Sequence, residues 1–285
     1  MQAPASVIGR LPPPRTVAAA VGLLLCSCAA QAAVSWEEGA SDTARRWDAT
    51  LGFMARYGPE YDGAARQGFS LVPGGAIRHG RVSIASSGVY AVRSPAAGAQ
   101  GGLQVDLSRG GPWRASLGLR WDGGRKSSES AALQGLGDIR GTLLLRLNAS
   151  VPLNEHWRVR GTFELDALGR GSGVQGTLGV ARSWPLGESL SASLGGTLTW
   201  AGGQHMRAYY GITPQQALAS GYGVYLPDSG LEQAALSLGL RAPVGRRWTL
   251  LGSAGVSRLM GPAAGSPLTR RAGGWSMTVG TVYRF

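Results

Sequence analysis

Three histidines, His79, His156 and His205, are the residues best suited to general-base chemistry or metal ligation near neutral pH. The two cysteines, Cys26 and Cys28, both lie in an apolar N-terminal stretch. A chain cleaved beyond that stretch has no thiol nucleophile, no disulfide and no cysteine metal site. A catalytic triad or a metal centre needs its members on one rim of whatever fold carries them. The alternation of strands and connections puts His79 and His156 at short turns and His205 in the longest loop, at the opposite end. No catalytic residue, metal or cofactor is therefore expected. A rim hydrolase built on His205 and a neighbouring Ser or Asp is the enzymatic alternative, and a solvated loop histidine is the plainer reading. No loop of the pattern G-x-x-x-x-G-K-[ST] is present to cradle a phosphate.

The arginines give a different signal. Arg114, Arg120, Arg146, Arg158 and Arg160 fall on the polar side of alternating segments, and Glu164 shares that side with Asp122 and Asp166. In a membrane barrel such charges face the lumen, because lipid exposure costs about 2–4 kcal/mol for Arg at the midplane. Two readings stay open: an ion-pair network that fills a narrow barrel, or an electropositive pore favouring anions.

These side chains must be positioned by strands. Trp47 to Tyr57 sets Trp47, Leu51, Phe53 and Tyr57 against Asp48, Thr50, Gly52 and Arg56. Trp113 to Asp122, His156 to Asp166, Glu188 to Trp200 and Gly273 to Phe285 repeat the same period of two. Weaker segments at 67–74, 79–87, 100–107, 140–151, 173–184, 231–242 and 246–257 bring the total to about twelve strands, with ten as the fallback count. Large aromatics bracket the apolar stretches, as Trp113 and Trp121 do. Eight to ten residues at about 3.3 Å each, tilted by roughly 40°, span about 20–25 Å, the lipid-facing band of an outer-membrane barrel. The fold class is therefore all-β, an antiparallel transmembrane barrel. Short Pro/Gly turns, as at Val151–Glu155 and Ala242–Arg246, alternate with longer connections near 88–99, 122–139, 201–230 and 259–272. That alternation places both termini in the periplasm.

The N-terminal 32 residues read as a signal peptide, with Arg10 and Arg15 ahead of an apolar run that ends in Ala30-Gln31-Ala32. Lipoprotein processing at Cys28 is the alternative. Residues 33–46 form a polar periplasmic lead-in, and 47–285 the barrel. The formal net charge is +12. Export makes nucleic acid an unsuitable partner and points instead to lipid and lipopolysaccharide in the cell outer membrane.

Several motifs occur in order along the barrel. Tyr57-Gly-Pro-Glu-Tyr-Asp-Gly63 holds Pro59, Tyr61 and Gly63, and Leu133 to Thr142 holds Gly135, Gly137 and Asp138. Tyr209-Tyr-Gly-Ile-Thr213 holds Tyr210, Gly211 and Thr213; Ser266 and Pro267 precede the last strand, which closes with Tyr283-Arg284-Phe285. Their order and spacing resemble the MltA-interacting protein (MipA/OmpV) family of outer-membrane proteins. The resemblance implies a barrel with no catalytic residue that scaffolds peptidoglycan turnover by joining a lytic transglycosylase to a murein synthase. Relatives also include surface adhesins, antigens and permeability factors. Where the family pattern carries acidic residues after Gly124-Arg125-Lys126, this chain has Ser127-Ser128-Glu129-Ser130. By analogy with other outer-membrane proteins, Tyr283 and Phe285 serve barrel closure and assembly. The family motifs fall at the outer end while the scaffolding partners are periplasmic. Either the loops fold inward and plug the lumen, or the scaffold surface is the tail and the short turns.

Overall fold

A computed structural model describes residues 47–86 and 101–285. The expected leader, the lead-in and the connection near 88–99 lie outside the described residues. Twelve strands follow one another: β1 (Trp47–Pro59), β2 (Gln67–His79), β3 (Val82–Ala85), β4 (Gly102–Asp106), β5 (Arg114–Asp122), β6 (Thr142–Pro152), β7 (Trp157–Asp166), β8 (Val174–Pro185), β9 (Ser191–Ala201), β10 (Gly230–Val244), β11 (Trp248–Leu259) and β12 (Gly273–Arg284). Each pairs antiparallel with its neighbours, and β1 pairs with β12 to close the barrel. The count is twelve, and the two strands that the pattern marks most weakly, β2 and β3, are both present.

The alternation sorts the side chains as a pleated strand requires. Phe53, Phe69, Leu71 and Val279 point outward, each about two-thirds exposed, while Ser116, Arg146, Asn148 and Thr199 point inward and are buried. At the closing seam Leu51 lies opposite Tyr283 and Tyr57 opposite Met277. Small residues let these backbones meet: a Cβ on Gly280 would sit 2.7 Å from the Phe53 carbonyl oxygen.

Strand β10 departs from regular pairing at one point. Its register with β9 shifts between Leu231 and Gln233, so Glu232 is an extra residue in a bulge. A bulge re-aims side chains; here both Glu232 and Gln233 are buried, and Ala234 takes the outward phase that strict alternation would give to Gln233.

The two ends differ. At the turn end the strands are joined by tight turns, such as those between β2 and β3 and between β10 and β11. Among the described residues the loop end carries three helices, α1 (Gly203–Tyr210), α2 (Pro214–Ser220) and α3 (Gly261–Ala264), with short 3-10 turns at Ser127–Glu129 and Ala131–Leu133. The sequence signals for α2 are complete. Thr213 caps it in a capping box with Gln216, Pro214 opens its first turn, and Gly221 at φ 76° ends it. Among the described residues no helix is long and apolar enough to cross a membrane.

Candidate functional site: the capped end and the charged lumen

The loops at the loop end pack into a cap with an apolar core of its own. Tyr61 and Ala64 from the β1–β2 loop, Leu133 and Leu136 from the β5–β6 loop, Ile212 from the β9–β10 loop and Leu268 from the β11–β12 loop form one buried cluster. Met206 and Tyr210 of α1 pack with Ala201, Leu259 and Ala263 in a second. Polar contacts stitch the same four loops together. The Tyr61 hydroxyl donates to the Leu268 carbonyl (3.2 Å), Ser266 Oγ donates to the Tyr210 carbonyl (2.6 Å), and the Tyr222 hydroxyl donates to the Ala132 carbonyl (3.1 Å). The motif residues named from the sequence thus gather in this cap. Gly63, at φ 93°, offers its carbonyl to the backbone N–H groups of Arg270 and Arg271. Gly135 lies against the Ala219–Ser220 backbone at φ 81°, which leaves no room for a Cβ. Gly137 is a second left-handed turn, and Asp138 accepts from the backbone N–H and hydroxyl of Ser127, which hold its carboxyl below the usual range. Gly211 ends α1 against the Arg207 carbonyl, Pro267 is half-buried beside Leu268, and Pro59 ends β1.

Helix α1 ties the cap to opposite walls of the barrel. The Tyr209 hydroxyl reaches Asp122 at the end of β5 (3.4 Å), while the Tyr210 hydroxyl donates to Glu232 on β10 (2.9 Å). Those strands stand five places apart in a ring of twelve, so α1 spans the mouth. His205 sits between them. Its Nε2 lies 3.5 Å from Glu232 Oε1, its Nδ1 3.0 Å from the Ser172 carbonyl oxygen, and its ring stacks on Tyr209 at 4.5 Å. Gln175 Nε2 donates to the other oxygen of Glu232 (2.7 Å), and Arg125 Nη1 to the Tyr209 carbonyl (2.7 Å). The solvated-loop reading of His205 is therefore corrected. The side chain is buried at 7% exposure because its loop folds inward as a helix rather than out into water. Burial alone would favour the neutral imidazole, but the hydrogen bond and charge of Glu232, with the Ser172 carbonyl and Asp122 beyond, hold its pKa above the ordinary value. Burial pushes the Tyr209 phenol up and makes the Arg125 guanidinium easier to deprotonate.

Beneath the cap the lumen is lined unevenly. Arg120 Nε and Arg146 Nε both donate to Glu164 Oε1, at 3.1 and 3.0 Å, and Arg120 also faces Asp122 at 3.9 Å. A neutral layer lies next to it, where Asn148 donates to Ser116 (3.3 Å) and accepts from Thr162 (3.0 Å). Arg114 and Arg160 are placed on either side of Ser150 a further step toward the turn end, with Arg158 beyond. The five predicted lumen arginines therefore occupy two levels: Arg120 and Arg146 join Glu164, whereas Arg114, Arg158 and Arg160 line the turn-end half. The facing wall, β9 to β12, carries Ser193, Gly195, Thr197, Gly239, Ser253 and Gly255 in its middle, with Arg241 and Arg284 toward the turn end. At the turn rim Tyr283 points outward, takes a hydrogen bond from Arg247 (2.8 Å) and packs edge-on against Trp248 and Phe285.

Tyr209 and Glu232 are the residues to which the sequence assigned no role; Asp122 was read only as a lumen charge and His205 only as a loop histidine. The break in alternation at Glu232-Gln233 was the available signal. Among the described residues no group of three or more His, Cys, Asp or Glu is arranged to hold a metal.

A closed antiparallel sheet with an apolar outer face, a polar lumen and helices packed across one mouth defines a β-barrel of the outer-membrane type. A family model described as MltA-interacting protein MipA matches residues 51–285, and the chain belongs to that family. Similar solved structures include an outer-membrane channel from Pseudomonas putida F1, at 11% identity and TM-score 0.43 over 88% of this chain and 100% of that one. An anion-selective porin from Comamonas acidovorans is similar at 9% identity and TM-score 0.39, over 84% and 99%. The NanC porin is similar at 10% identity and TM-score 0.34, over 82% and 100%. No curated protein matches the chain.

Proposed function

We propose that this protein is a non-enzymatic scaffold of the outer membrane that joins a lytic transglycosylase to a murein synthase during peptidoglycan turnover. The observation that carries this reading is the family match, which runs through nearly the whole barrel and names a protein by its interaction with MltA. The cap supports it. With four loops and α1 packed over the loop end, the face left for periplasmic partners is the turn end, with its short turns and the lead-in before Trp47. In this orientation both ends of the barrel sequence are periplasmic, the cap meets lipopolysaccharide, and residues 1–32 are removed as the signal peptide.

Affinity capture of the tagged protein from solubilised envelopes tests the proposal. Recovery of a murein hydrolase and a synthase together is expected. Capture of neither, with unchanged sacculus composition in cells lacking the protein, would sink it. The lumen arginines favour a second reading, a pore for small anions. Conductance steps with anion preference in planar bilayers would support that reading, and their absence would remove it.

A further inference from the structure

We propose that Trp157, Arg182 and Trp184 form a clamp on the outer wall at the turn rim that binds the phosphate of an anionic phospholipid. The observation is one of placement. On the outward face of the described strands only Arg182 and Arg258 carry charge, one near each rim. Arg182 lies directly opposite Trp157 in the β7–β8 pairing, and Trp184 follows two residues later on the same face. The guanidinium carbon stands 5.8 Å from the centroid of the Trp157 ring and 5.9 Å from that of Trp184. Among the described residues no carboxylate pairs with it, and the side chain is exposed. Arg258, at the loop rim, has no such ring on either side among the described residues.

A lipid-facing arginine is tolerated at the interface because its stem lies along apolar surface while its head reaches the headgroups. Two indoles fix that head, and its planar fork matches two oxygens of a phosphodiester. Indole rings favour the headgroup level, and Val180, Leu178 and Val159 continue the outward face toward the midplane as a surface for acyl chains. A single cationic site complements a lipid of net charge −1. A zwitterionic lipid gains less, because its own ammonium offsets the phosphate. The choice of a phospholipid rests on the proposed orientation, in which the turn rim meets the periplasmic leaflet.

Native mass spectrometry of the purified full barrel, with phosphatidylglycerol and phosphatidylcholine added as probes, tests the clamp. Wild type is expected to retain phosphatidylglycerol over phosphatidylcholine by about tenfold, the effect of one charge-assisted contact. R182Q should abolish the preference, W184L should weaken it, and R258Q should leave it intact. Folding of each variant is read from heat-modifiable gel mobility. Equal retention of the two probes by wild type, or an unchanged preference in both R182Q and W184L, overturns the proposal. An Arg182-dependent preference for lipid A over phosphatidylglycerol overturns the phospholipid assignment. Labelling of G245C from the periplasmic side reads the orientation independently.

Discussion

Two buried glutamates do opposite jobs in this barrel. Glu164 is held by Arg146 and Arg120, which come from β6, the strand next to Glu164's own β7, and β5, the one beyond it. Glu232 is held by His205, Tyr210 and Gln175, and the first two belong to a helix that crosses the mouth. The first set ties wall to wall within consecutive strands. The second ties a loop to the wall. Arginine keeps its charge throughout the accessible pH range, whereas histidine does not. The wall network is thus built to be permanent and the cap attachment to be conditional.

That contrast can be broken in graded steps. Glu164→Ala leaves two buried arginines without their shared acceptor and should cost about 3–5 kcal/mol, seen as a loss of folded, heat-modifiable barrel in urea titrations. Normal folding of this variant would show that the network is incidental. Glu232→Ala removes the acceptor shared by His205, Tyr210 and Gln175, at a cost of about 2–3 kcal/mol. The damage should be local: faster amide exchange in α1 and in 260–272, with the strands still protected. Equal deprotection of β5 to β7 would erase the distinction between the two glutamates.

The third step is pH. The pKa of His205 is raised in the folded protein, so its contribution is fully present below the ordinary histidine value of 6.5 and is lost as pH rises through the raised value. Exchange in α1 should therefore accelerate as pH climbs through that window, after correction for intrinsic rates, while β5 to β7 stay constant. His205→Gln should flatten the profile. The smallest effect belongs to Tyr209→Phe, which removes a hydroxyl that meets Asp122 at 3.4 Å and Ser172 beside it. It should change cap exchange by about 0.5–1.5 kcal/mol, with no change in barrel stability.

The wall was more legible in the sequence than the cap. Period-two alternation is local, so β1, β5, β7, β9 and β12 could be placed by reading along the chain. The strands hardest to read have physical reasons. β2 carries Pro73-Gly74-Gly75 mid-strand, with Pro73 opposite Phe53, and β3 is only four residues long. The loop motifs of the cap could be read from the sequence, though not the helices that carry them. Its assembly could not, since Tyr61 and Leu268 meet across a separation of 207 residues. His205 was misjudged because nothing local distinguishes a polar helix that faces a charged lumen from one that faces water. Glu232 needed its bulge to be seen.

The closing seam has a consequence for how the barrel comes to exist. Among the described strands, eleven of the twelve pairings join neighbours in the sequence, and only β1 with β12 reaches from one edge of the sheet to the other. Each hairpin can form from a short contour of chain. The seam must wait for the intervening strands, because bringing distant segments together carries the largest loop-closure entropy. Folding order is thereby written into topology: the sheet grows by local zippering, and until Tyr57 meets Met277 both of its edges stand unpaired.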